Sequence, residues 1–256
     1  MDRDPEGAPH ARHEPILNAP AGVVWAIALL VGIHAGLELL DEGSRDWWKL
    51  AAAFIPVRYT GSALELPGGS GAAVWSFVTH QFVHADWGHV GLNCAWLLAF
   101  GGAVATRIGI LRFTALGIAS GIAGACLFLA LRWGELTPMA GASGAVSGLM
   151  AGSFRFFFAA IDRGGLGAFR EEPMSIPRMS IAATLGDRRV RTMVIFFLVI
   201  NAVTAVAAPL FTSAGGIAWE AHIGGFAFGL LAFAWFDPWR PALMRQYEDP
   251  FRPTLH

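Results

Sequence analysis

Polar side chains able to do chemistry stand at the heads of apolar runs: His89 with Asn93, Ser143 within Gly141-Ala142-Ser143-Gly144, and His222. Buried unpaired in a membrane span, histidines and amides are costly, and there they mark function more often than packing. A serine hydroxyl is a weak nucleophile until a base takes its proton, and neutral histidine suits that task near neutral pH. Ser143 and His222 are thus the pair needed for acyl transfer. A tetrahedral intermediate also needs donors aimed at its oxyanion, which His89, Asn93 and the backbone N–H of Ser143 at a helix start can provide. His89 and Asn93 are four apart and share one helix face. The acids nearest in sequence, Asp86 and Glu220, supply no obvious third member, since Glu220 stands two residues before His222 and points elsewhere. A dyad is the expectation. Taken alone, Ser143 among small residues reads equally well as a helix-packing position.

The elements that must position these groups follow from composition. The chain has 256 residues, of which 55% are hydrophobic and only 14% charged, and its mean hydropathy is +0.51. That is too apolar for an ordinary soluble domain and predicts an all-α polytopic membrane protein. Six stretches approach the roughly 20 apolar residues that a span requires: 21–40, 88–106, 112–131, 141–160, 192–212 and 217–236. Polar tails at 1–20 and 239–256 flank a helical domain at 21–238. Spans two, four and six enter from the same side, so His89 with Asn93, Ser143, and His222 fall at one membrane level and can meet. Gly144 and Gly148, with Gly152 beyond, form a small-residue face below Ser143. Gly225 and Gly229 form another below His222, and two such faces can pack closely.

Of the eighteen Lys and Arg residues, fourteen fall on the side of the termini and four on the other. By the positive-inside bias both termini are cytoplasmic, and a multi-pass protein of a plasma membrane, the inner one of a bacterium, is expected. The long outer loop, about 41–86, carries Trp47, Trp48, Phe54, Ile55, Tyr59 and Trp75 and is expected to lie partly in the headgroup region, with a small extramembrane cap as the alternative. His34 and Glu38, four apart, are expected to pair at the outer end of span one. A net charge of −1 argues against nucleic acid as a partner. Cys94 and Cys126 lie in apolar runs and suggest no disulfide framework. His80, His84 and His89 are near one another, yet no Asp, Glu or Cys completes a tetrahedral set at usual spacing and HExxH is absent. Neither a metal nor another cofactor is expected, and His80 and His84 read as structural histidines shaping the loop into span two.

These residues resemble the rhomboid intramembrane serine proteases. The likeness rests on Thr79-His80-Gln81-Phe82-Val83-His84 leading to His89-Val90-Gly91-Leu92-Asn93, on Gly141-Ala142-Ser143-Gly144, and on Ala221-His222-Ile223-Gly224-Gly225 with Gly229. The resemblance implies a six-transmembrane-helix bundle with a water-accessible site open to the outside. There Ser143 attacks a peptide bond in or near a substrate's transmembrane segment, His222 acts as base, and His89 and Asn93 help form the oxyanion hole. It implies that the fifth span and the loop before His222 move to admit substrate. Partners are then transmembrane protein substrates and the lipid bilayer. Three positions depart from the family pattern: Ser147 replaces an aromatic that stacks on the histidine, Ser76 follows Trp75 where Arg is common, and Ala105 replaces an acid. Two rival functions are a catalytically inactive relative that binds transmembrane segments and a small transporter. Against the latter, the chain shows neither paired intramembrane acids nor an inverted repeat.

Overall fold

Lipid offers nothing to backbone N–H and C=O groups, so a chain this apolar satisfies them inside helices. The computed structural model describes residues 19–211 and 218–239. Among these residues there is no β-sheet, only a single bridge between Phe54 and Met139. Three helical stretches, Ala21–Glu38, Trp87–Leu131 and Arg188–Val206, are long and apolar enough to cross a membrane. The protein is an all-α polytopic membrane protein. Both cysteines are free, and Cys126 is exposed.

Helix α1 (Ala21–Glu38) turns Trp25 and Leu29 outward, the side chains a lipid face requires. At its end the expected pairing of His34 with Glu38 does not occur. Glu38 instead accepts from Arg45 at 3.1 Å and Lys49 at 3.2 Å, both on α2 (Glu42–Ala52). Two full positive charges outbid a neutral imidazole, and His34 packs edge-on against Trp87, with centroids 4.6 Å apart. The Asp41 carboxylate caps α2 by accepting from the Ser44 N–H at 3.0 Å. After short 3₁₀ turns comes α3 (Gly69–Thr79), so the long outer loop is folded: Trp47 and Trp48 are exposed on it, whereas Phe54 and Ile55, expected at the interface, are buried inside it.

The expected spans two and three prove to be one nearly continuous helical stretch. Helix α4 (Trp87–Trp96) passes through a π turn at Leu97–Gly101 into α5 (Gly102–Leu131). The reversal occurs at Gly109, whose φ of 75° and ψ of 165° are non-helical. A positive φ of this kind is open to glycine at little cost, so one residue replaces the expected connector. The turn-back shows in the packing: a Cβ at Gly101 would lie 3.2 Å from Phe113, while Gly124 on the returning limb reaches the Ala221 carbonyl.

The fourth span is shorter than the expected 141–160. Helix α6 covers Ser143–Phe154 and breaks at Phe156, before α7 (Phe157–Asp162), α8 (Gly165–Glu171) and α9 (Ile181–Gly186). Most of α6 is buried against protein, so bilayer thickness does not set its length. Arg155 ends it: the buried guanidinium donates to the Met179 carbonyl at 2.9 Å and the Leu230 carbonyl at 2.7 Å. Helices α10 (Arg188–Phe211) and α11 (Trp219–Phe236) complete the described fold. At the end of the bundle away from Ser143, Arg107 is bound to Asp237 and to the Ile176 carbonyl, tying α5 to the end of α11.

Candidate active site

The turn before Ser143 is suspended from the outer segment. Met139 and Phe54 exchange two backbone hydrogen bonds at 2.8 and 2.9 Å, and the Gly141 N–H donates to the His80 carbonyl at 2.8 Å. The Ala142 N–H donates to His84 Nε2 at 3.3 Å, a bond that requires an unprotonated nitrogen. Burial keeps the ring neutral, so that one of its nitrogens is free to accept. It pushes His80 down to about 4 and, with His89 adding to it, His84 down to about 3. Gly141 has φ 119°, and a Cβ there would strike the His89 ring at 2.7 Å. Glycine at 141 thus serves both the turn and the close approach of His89.

Below this turn α6 and α11 cross almost backbone to backbone. A Cβ on Gly225 would stand 2.0 Å from the Gly144 carbonyl oxygen, and one on Gly229 would stand 2.0 Å from that of Gly148. The two glycine faces thus meet in register, and α11 also presents Gly224 to α5. At the head of the crossing Ser143 Oγ and His222 Nε2 are 2.8 Å apart, within hydrogen-bond distance.

The family model of the rhomboid domain matches residues 71–238, well over half of the chain. The chain belongs to the rhomboid family. Comparison with curated proteins returns no match. The matched range starts within α3 and holds His89, Asn93, Ser143 and His222. Rhomboid proteins are polytopic membrane proteins and typically intramembrane serine proteases.

Within this rhomboid domain, α4 brings His89 and Asn93 to the Ser143 turn. Asp86 caps α4 by accepting from the His89 N–H at 2.8 Å, fixing the turn that carries the ring. Asn93 donates to the His89 carbonyl at 2.9 Å, a bond that engages one of its two amide protons. The N–H of Ser143 lies in the first turn of α6, where backbone donors have no intrahelical acceptor. Glu220 faces away and binds Arg132 at 2.5 Å. Among the described residues, no three His, Cys, Asp or Glu side chains are grouped to hold a metal ion.

A cavity of about 740 Å³ joins these groups. Its upper wall includes Lys49 and Asp86, and it descends past Ser143 and His222 to Met150 and Phe154 between α4 and α10. Ser147 lines it one turn below the nucleophile and offers His222 no ring to lean on. Instead the far side of His222 meets a residue absent from the sequence candidates: Asn201 Oδ1 on α10 lies 2.7 Å from Nδ1. The signal was available, because Asn201 is the lone amide in the apolar run 192–212. The loop preceding His222, expected to move, falls at 212–217, outside the described residues.

Proposed function

We propose that this rhomboid is an intramembrane serine endopeptidase, cleaving peptide bonds in or near transmembrane segments of membrane proteins by a Ser-His dyad. The 2.8 Å contact between Ser143 Oγ and His222 Nε2 carries this reading. Ser143 Oγ attacks the scissile carbonyl as Nε2 takes its proton. The resulting oxyanion is received by donors from His89, Asn93 and the Ser143 N–H, which surround the Gly141 turn. His222 then returns the proton to the leaving amine, and water activated by the same imidazole hydrolyses the acyl-enzyme. The cavity suits such a substrate, with polar groups near the nucleophile and Phe154, Phe196 and Phe197 on its apolar walls. Residues 21–238 form the protease domain in this reading, and both termini are cytoplasmic by the distribution of Lys and Arg.

Reconstitution in proteoliposomes with a transmembrane substrate tests it. Ser143→Ala should abolish cleavage, and a fluorophosphonate should label the wild type but not His222→Ala. Cleavage that persists in Ser143→Ala refutes the mechanism. Substrate retention with neither labelling nor cleavage would instead identify a non-cleaving binder of transmembrane segments.

A further inference from the structure

We infer that Asn201 is the positioning residue of this site: by accepting from His222 Nδ1–H it selects the tautomer whose Nε2 lone pair faces Ser143. The inference rests on the serine-endopeptidase reading above and adds a member to it from a different helix.

Which end of the Asn201 amide faces the imidazole decides the tautomer. Asn201 is buried, and its Nδ2 donates to the Phe197 carbonyl one turn back on α10 at 2.8 Å. A carbonyl only accepts, so the amide nitrogen must take that position and Oδ1 must take the other. The atom 2.7 Å from His222 Nδ1 is therefore an acceptor, and Nδ1 carries the proton. A neutral imidazole has one N–H, which leaves Nε2 with its lone pair at 2.8 Å from the Ser143 hydroxyl. Reversing the amide would set oxygen against the Phe197 carbonyl and present an N–H to Nδ1. That arrangement would put the imidazole proton on Nε2, where no base function remains. One carbonyl on α10 thus decides, through Asn201 and His222, the protonation pattern at the nucleophile.

The support is itself fixed. Phe197 stacks on Phe226 of α11 with centroids 4.8 Å apart, holding this turn of α10 against the helix that carries His222. The position four residues after Ser143, which could have carried a ring beneath the imidazole, is Ser147. Orientation from α10 takes the place of orientation from α6.

The test compares Asn201→Leu with wild type and Ser143→Ala in proteoliposomes, together with the ¹⁵N spectrum of the His222 ring. Asn201→Leu should lower kcat by about ten- to a hundredfold, the usual consequence of one lost hydrogen bond to a buried partner, with little change in KM. The ring signals should change from a single Nδ1–H tautomer to a mixture. Unchanged kcat with an unchanged tautomer overturns the inference. Should Asn201→Leu not fold, Asn201→Asp serves: it keeps an acceptor but adds a charge that favours imidazolium. The acidic limb of its rate profile should then move to higher pH, and an unmoved limb counts against the proposal. Failures are separable, because cleavage surviving in Ser143→Ala sinks the serine-protease reading, whereas the ring spectrum reports on Asn201 directly.

Discussion

Gly225→Ala is the smallest change that should disable the site without touching a reacting group. In an isolated helix it would be favourable, since Ala is better than Gly by about 1 kcal/mol. Here the new Cβ would lie 2.0 Å from the Gly144 carbonyl oxygen, about 1.4 Å short of the 3.4 Å at which ordinary contact begins. The obstructing atom is backbone, so no rotamer change relieves it. Helices α6 and α11 must separate, and the strain of such overpacking, about 1–3 kcal/mol, exceeds the propensity gain. The crossing also sets the 2.8 Å between Ser143 and His222. A shift of comparable size takes that pair beyond hydrogen-bond distance and forfeits general-base assistance, which contributes about 10²–10⁴-fold. Turnover of a transmembrane substrate in proteoliposomes, with the fluorophosphonate labelling rate alongside, should fall within that range. Gly117→Ala on α5 is the control, because its nearest neighbour would be 3.9 Å away, and it should retain activity. Wild-type kcat in Gly225→Ala would show that the crossing does not set the dyad distance.

Removing the Asn93 amide with Asn93→Ala should raise the barrier by about 2.7–4 kcal/mol, read as a lower kcat with KM little changed; an effect confined to KM would place Asn93 in ground-state binding instead. Arg107 and Asp237 form an ion pair with both side chains wholly inaccessible; Arg178, 3.6 Å from the same carboxylate, keeps it partly compensated, so Arg107→Met should lower stability, by less than the about 3–5 kcal/mol of a buried charge left alone. A lowered Tm in detergent would register this, while Arg189→Met, which breaks solvent-exposed pairs with Asp162 and Asp187 and a cation–π contact with Phe158, should move it far less. His80 and His84 should make the fold acid-labile. Their folded values, about 4 and about 3, lie below the ordinary 6.5, so between those limits the unfolded chain binds more protons. Their stabilising contribution is complete above pH 6.5 and is lost as pH falls toward the folded values. The fall in Tm on acidification should be shallower in His84→Gln, and equal slopes would contradict the assignment.

Periodic and compositional features were legible in the sequence because they depend on many residues at once. The all-α membrane fold came from hydropathy, and the meeting of His89, Asn93, Ser143 and His222 from span order and glycine spacing. Features set by one residue's local energetics were not legible. Gly109 reads as one more small residue in an apolar run, yet its positive φ turns two expected spans into a single bent stretch. The short α6 depends on Arg155 finding carbonyls on segments far away in sequence. Glu38 chose Arg45 and Lys49 over His34 because α2 folds back beside it, and i,i+4 spacing cannot report that.

Asn201 is the instructive omission. The same reasoning that singled out Asn93, a buried amide in an apolar span, applied to it equally, but no motif or shared helix face linked it to the other candidates. Its link to His222 is made in space alone, from α10 to α11. What a ring at position 147 would have supplied by packing is supplied here by an acceptor across the cavity. The space such a ring would occupy is left to the cavity, which runs below Ser143 along Ser147 and Met150 to Phe154. Orientation of the base and depth of the cleft are therefore connected. A Ser147→Phe variant should fill the cleft beneath the nucleophile and make Asn201→Leu less damaging than it is in the wild type. Additive losses in the double variant would show that ring and amide do not share the task of orienting His222.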